Sequence, residues 1–459
     1  MALRARLLLV LLAVLSAPLW AGCGSDPVRE PESVEGVPNI ILITLDTLRA
    51  SHTTPYGSPR DTTPNLTAFA RKSVQFERAY AAMPTTGPSH VTMLTGLYPQ
   101  EHGVVQNGVP ARDELVALPG LMRDSGRRTG AFVSVVHLAP DTVNLEGFEV
   151  WDAPERVRDG AETIEAAKKW VTRHREEPFF LWVHLFDPHS PYEVPDDLSA
   201  EIATALAPLE GLEVHQHASF LDAPMPADEA RKLELLYDAD IYYTDQLVGE
   251  FLDFLDESGL GSTSAIAITA DHGEVLSEAL DRWQYGFDHG ELLLPGELRV
   301  PLWVRMPGGE GGTTEDAVVE TRALYGTLLW AAKLPQAASM PKLPGFGADR
   351  DGPEAMAFVM RRTFRGEDLP EILEGSRVAV IRGDTLAVRI QRDGRSVELF
   401  DLTVNDRNVR VKESPPEAVQ SYDTAIDEWL AGLSMGGDGD SPQIPADMQE
   451  HLRALGYAE

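Results

Sequence analysis

Asp46 follows an apolar run at positions 39–45, and Asp271 with His272 follows a second one at 265–270. Branched residues without polar alternation read as strands buried on both faces, the kind found in the centre of a parallel sheet. A carboxylate at the carboxyl end of such a strand sits where open α/β sheets place their ligands. Asp is also a favoured helix N-cap, so Asp46 taken alone is either a cap or a ligand. Its repetition at Asp271-His272, an acid and an imidazole competent to hold a metal, favours the ligand reading.

Thr86 lies in Thr85-Thr86-Gly87-Pro88-Ser89-His90, where Gly-Pro breaks the chain and Ser89 to Leu94 begins a helix. That spacing puts Thr86 just before a helix amino terminus, whose backbone N–H groups attract anions and can stabilise an oxyanion. A hydroxyl there is well sited as a nucleophile. The alternative is that Thr86 or Ser89 is simply the N-cap. A third apolar run, 179–186, ends in Asp187-Pro188-His189. If the chain stays extended, Asp187 and His189 point to one side and offer ligands or acid–base groups. His184, inside that run, reads as a packed core histidine. His289, next to Gly290 in a loop at 278–298, reads by itself as a surface histidine.

The elements needed to position these groups alternate strand and helix patterns from residue 38 onward, the signature of an α/β fold with a doubly wound, mostly parallel sheet. Further strands are predicted near 74–76 and 128–136, and amphipathic helices over 161–174 and 229–255. Residues 193–228, polar and broken by prolines, read as a surface excursion. Past a Gly-rich boundary at 307–313, strands near 378–381, 386–390 and 397–402 are separated by Gly383-Asp384 and Asp393-Gly394, which suit hairpin turns. They predict a smaller antiparallel α+β subdomain over 307–459, beside a larger unit over 38–306. A helix over 418–433 and a loose linker over 436–445 complete it.

The chain has 459 residues, 43% of them hydrophobic, enough for a large core. Its formal net charge of −33 argues against nucleic acid or an anionic membrane surface as partner. An anionic substrate therefore needs a local positive site, most simply a metal. Residues 1–23 read as an export signal, with Arg4 and Arg6 before an apolar core too short to span a bilayer comfortably. Cys23, the one cysteine, directly follows Ala21-Gly22 and excludes an internal disulfide. This resembles a bacterial lipoprotein signal, which would make Cys23 a lipidated membrane anchor for an exported envelope protein; simple secretion with an incidental cysteine is the alternative. Residues 24–37, rich in Pro, Glu and Ser, read as a flexible tether.

Five motifs occur in order: Pro38-Asn39-Ile40 through Asp46-Thr47-Leu48-Arg49, Thr86-Gly87-Pro88-Ser89-His90 with Leu94-Thr95-Gly96, Asp187-Pro188-His189-Ser190-Pro191-Tyr192, Thr269-Ala270-Asp271-His272-Gly273-Glu274, and His289-Gly290 with Arg299-Val300-Pro301. Together they resemble the sulfatase family of the alkaline phosphatase superfamily, from about residue 38 to the carboxyl terminus. The resemblance implies Asp46, Asp271 and His272 as metal ligands, Thr86 at the nucleophile position, and His189 and His289 in contact with the anionic group being cleaved. Sulfatases carry Cys or Ser at the nucleophile and oxidise it to formylglycine. The methyl on Cβ of Thr86 prevents that conversion, so no formylglycine is expected. His90 replaces the Arg that helps hold nucleophile and metal, and joins the catalytic set. Thr47 replaces a second metal-binding Asp, which depletes an oxygen-only calcium site.

The remaining set of two carboxylates and an imidazole suits zinc or manganese better than calcium. A metal-bound threonine nucleophile resembles the nucleotide pyrophosphatase and phosphodiesterase branch, which holds a second zinc with one Asp and two His. Asp187, His189 and His289 supply those residue types. The expectation is a metal-dependent hydrolase of anionic phosphate or sulfate esters, phosphoesters favoured. Alternatives are a sulfatase, an envelope phospho-group transferase, or a binding lipoprotein without catalysis.

Overall fold

A computed structural model describes residues 36–192, 195, 206, 225–309, 311–347, 356–361, 376–391, 394–403 and 415–433. The export signal and nearly all of the tether, most of the 193–228 excursion and the 436–445 linker lie outside the described residues.

The apolar runs become the middle of a nine-stranded sheet. Its strands are β1 (Asn39–Leu45), β2 (Val74–Tyr80), β3 (Arg128–Val133), β4 (Val150–Asp152), β5 (Phe179–Leu185), β6 (Ser264–Ala270), β7 (Arg299–Val300), β8 (Leu302–Arg305) and β9 (Thr313–Glu320). The order is β4-β3-β5-β1-β6-β8-β2-β7, with β9 also paired to β2. From β4 to β6 every pairing is parallel, whereas β8 runs antiparallel to both β6 and β2. β1, β5 and β6 are buried along their whole length, which is why they show no alternation in sequence. β9 lies past residue 306 yet joins this large sheet through β2.

Flanking the sheet are α1 (Pro64–Ala70), α2 (Thr86–Thr95), α3 (Leu118–Asp124), α4 (Gly160–His174), α5 (Ala227–Glu257) and α6 (Leu324–Ala331). The apolar stripe of α5, with Tyr237, Ile241, Val248, Phe251 and Leu255, is buried as its periodicity predicts. A separate antiparallel sheet contains β10 (Met356–Arg361), β11 (Ser376–Arg382), β12 (Thr385–Gln391) and β13 (Arg395–Asp401), in that order. Gly383, at φ 54°, supplies the left-handed backbone of the β11–β12 turn. The helix α7 (Pro416–Gly432) packs on β11 and β13.

Register explains why distant residues meet. Leu45 pairs with Ala270 in β6 and with Leu185 in β5, so the next residues, Asp46 and Asp271, leave the sheet at the same level. Adjacent strands lie only about 4.8 Å apart, so these two carboxylates are forced together. Thr44 pairs with His184, and side chains two apart share a face, so His184 stands on the Asp46 face.

After Asp46 the backbone turns sharply: Thr47 has φ 54°, an uncommon conformation for a β-branched residue. The Tyr237 hydroxyl of α5 donates to Thr47 O (2.7 Å) and accepts from Arg49 N (3.0 Å), clamping the turn from both ends. Thr47 Oγ1 also donates to Pro188 O at 2.9 Å. Tyr237→Phe leaves both backbone groups without this partner in a dry environment and should destabilise the fold by about 1–3 kcal/mol in urea unfolding; an unchanged midpoint would show that the clamp is dispensable.

Candidate active site

Asp46, Asp271 and His272 are fully buried. His272 Nε2 lies 3.7 Å from Asp46 Oδ1 and 3.5 Å from Asp271 Oδ2. Asp271 Oδ1 accepts from His272 N (2.8 Å) and Thr47 N (3.3 Å). His272 Nδ1 pairs with Gly273 O at 2.9 Å. A carbonyl can only accept, so Nδ1 carries a proton, and in the neutral imidazole the Nε2 lone pair faces the two acids. Asp46 Oδ1, Asp271 Oδ2 and His272 Nε2 have no hydrogen-bond partner among the described residues. Convergent acceptors without donors are unfavourable in a dry interior and are satisfied together by a cation. The residues present therefore fit a divalent metal. Burial pushes Asp46 up to about 7, against the opposing pull of His272 and the Thr86 hydroxyl. Asp271 is raised too, by burial and then by the charge of Asp46.

Thr86 is the first residue of α2, so it stands inside the helix start rather than just before it. Its hydroxyl is buried and, although it favours the ionised form of Asp46, falls short of full hydrogen-bond geometry to any partner. The helix start offers fewer free amides than expected, because Gly87 N donates to Asn107 Oδ1 (2.7 Å) and Pro88 has none. Asn107 Nδ2 is buried and has no hydrogen-bond partner among the described residues.

His90 sits in a relay that fixes its protonation. Trp182 Nε1 donates to Thr44 Oγ1 (3.0 Å), Thr44 Oγ1 donates to His90 Nε2 (2.9 Å), and His90 Nδ1 donates to Thr86 O (2.7 Å). Burial pushes His90 down to about 3, so it is neutral. Both ring nitrogens are engaged, which makes His90 a positioning residue for Thr86 rather than a proton donor. Ser89 Oγ ties the same helix to Asp271 O at 2.7 Å.

His189 and His289 face each other with ring centroids 5.1 Å apart, and His289 lies 4.3 Å from the ring of His272. His289 is buried against Glu274, whose Oε2 is 3.2 Å from His289 Nδ1, so it is not a surface histidine. Asp187 does not join this group. The chain turns directly after β5, with His189 N donating to Phe186 O (2.9 Å), and Asp187 Oδ1 instead accepts from Gly160 N (3.0 Å) at the start of α4. The extended spacing that would align Asp187 with His189 is broken by that turn.

Sequence reasoning missed three participants. His184 Nε2 lies 3.1 Å from Asp46 Oδ2, which leaves Oδ1 facing His272; only the strand register exposes this. Asn107 sits in a turn after α2 and meets Gly87 through tertiary closure alone. Glu274 was visible in its motif but carried no assigned role.

Known proteins resemble this chain in sequence and in fold. The sulfatase family model matches residues 38–334. An ulvan-active sulfatase of Formosa agariphila is 25% identical over 328 residues, covering 64% of this chain and 61% of that relative, so the chain spans about three-fifths of its length. Phosphonate monoester hydrolase of Agrobacterium radiobacter superimposes with a TM-score of 0.66 at 17% identity, over 86% of this chain and 95% of that one. A protein solved in complex with its substrate D-glucosamine-2-N,6-O-disulfate gives 0.68 at 16% identity, over 91% and 99%. The structural likenesses are of fold; the family match, which covers more than half of the chain and includes Asp46, Thr86, Asp271 and His272, shows that this protein belongs to the sulfatase family.

Proposed function

We propose that this chain is a metal-dependent hydrolase of anionic esters that uses Thr86 as nucleophile, with phosphodiester, phosphomonoester or phosphonate substrates favoured over sulfate esters. The observation that carries the reading is the buried, partnerless Thr86 hydroxyl at the start of α2, beside the partnerless acceptors of Asp46, Asp271 and His272. A divalent cation held by those three residues would supply Lewis acidity that lowers the pKa of the Thr86 hydroxyl and offsets developing charge. Thr86 Oγ1, having lost its proton to solvent, attacks phosphorus as the bond to the leaving oxygen breaks. His189 or His289 gives that oxygen a proton. Asn107 Nδ2 donates to a non-bridging oxygen as negative charge builds. Water then cleaves the Thr86 ester, releasing phosphate from a phosphomonoester, a phosphate monoester from a phosphodiester or a phosphonate from its ester, and restoring the hydroxyl. Because Thr86 cannot become an aldehyde, an ordinary alcohol must suffice, and this favours phosphorus over sulfur. In the same reading residues 1–23 direct export and Cys23 carries the lipid that holds the enzyme in the cell envelope.

Thr86→Ala should lower kcat by about four orders of magnitude or more, while Thr86→Ser retains turnover. Assays with nitrophenyl phosphate, bis-nitrophenyl phosphate, a nitrophenyl phosphonate and nitrophenyl sulfate check this, and wild-type preference for the sulfate would reverse the substrate assignment. Metal dependence carries its own signature. Asp46 in the folded, metal-free chain holds its proton up to about pH 7, above its ordinary value. That contribution to the metal-free fold is fully present at low pH and is lost as pH rises through about 7. A bound cation displaces the proton, so the rise in Tm on adding zinc or manganese should grow between about pH 5 and about pH 7.5. A rise independent of pH, measured by calorimetry, would remove Asp46 from the ligand set.

A further inference from the structure

Beside His272 a second group of ligand-type side chains is assembled that the first site does not use. Glu274, Asp288 and His289 bring two carboxylate oxygens and an imidazole nitrogen within 4.8 Å of one another. Glu274 is fully buried, and its Oε1 has no hydrogen-bond partner among the described residues, although Oε2 meets His289 Nδ1. The charges around it do not compensate. Asp288, Asp46 and Glu297 carry the same sign, and Arg49, the opposing charge, is itself paired with Glu278 at 2.8 Å.

The backbone is built to hold these groups together. Val275 and Asp288 exchange two backbone hydrogen bonds, at 2.9 and 3.2 Å, so the segment carrying Asp288 and His289 is strapped against the residue after Glu274. Phe287, directly before Asp288, is held at φ 55°, a conformation costly for an aromatic residue. Glu297 accepts from Gly290 N (2.7 Å) and Leu294 N (2.8 Å) and closes the loop behind His289. Strain maintained by such a frame marks a functional position.

We propose that Glu274, Asp288 and His289 form a second divalent-cation site, adjoining the first across the His272–His289 contact. This deepens the proposed function and rests on it. The residue types again match zinc or manganese. A cation there would satisfy Glu274 Oε1, offset two carboxylates and add positive charge for an anionic ester in a protein of net charge −33. With His289 committed as a ligand, protonation of the leaving oxygen falls to His189. This ligand set replaces the one expected from sequence, since Asp187 is turned toward α4.

The test is metal stoichiometry of the full chain after equilibration with zinc, or separately manganese, and removal of free ion. Wild type should retain two equivalents, and Glu274→Gln and Asp271→Asn one each, with His289→Asn repeating the Glu274→Gln loss should that variant fold poorly. One equivalent in wild type, kept by Glu274→Gln and His289→Asn, would overturn the second site and reduce Glu274–His289 to a hydrogen-bonded pair. Asp271→Asn retaining the full wild-type complement would contradict the first site instead, so the two readings fail separately.

Discussion

Two neighbouring parallel strands end in register at aspartates, and neither carboxylate reaches water. Everything around the site follows from that constraint. Like charges about a strand spacing apart in a dry interior repel strongly, and each also loses its hydration. The fold meets part of this with hydrogen bonds: Asp46 Oδ2 faces His184, and Asp271 Oδ1 receives two backbone amides. The other oxygens, with His272 Nε2, point into a common space without donors. Protonation of the acids or capture of a cation resolves the conflict, and a cation would engage all three atoms at once.

Thr86 is governed by the same economy of polar groups. The run Trp182, Thr44, His90 and Thr86 is a one-way chain of donors, in which each hydroxyl or imidazole gives one proton and receives one. Burial keeps His90 neutral, which the chain requires, because an imidazolium could not accept from Thr44. The arrangement ties the first turn of α2 to the middle of β1 and β5. Asn107 accepts from the Gly87 amide, and its own side-chain N–H is buried without a partner among the described residues.

Much of this was legible in the sequence, for physical reasons that also set the limits. Strands buried on both faces leave unbroken apolar runs, so β1, β5 and β6 stood out, and acids at two of their ends marked the metal candidates. His184 did not stand out, because its meaning depends on which residue of β1 it pairs with, and register is not written locally. Asp187 and His189 looked like a pair only while the chain was taken as extended; the turn after β5 sends one to α4 and the other toward His289. His90 occupied a catalytic motif position, yet its role depends on partners from β1 and β5. The Gly-rich break near 307–313 suggested a boundary, but β9 returns to the large sheet because β2 would otherwise present an open edge there.

If Thr86 carries the reacting group, it is esterified during turnover. Rapid acid quenching of the zinc- or manganese-loaded enzyme during turnover of a nitrophenyl phosphodiester, followed by peptide mass spectrometry, tests it most directly. The account predicts a phosphoryl ester on Thr86 that decays as product forms. Turnover at full rate with no adduct at Thr86, or with the adduct on another residue, would contradict it.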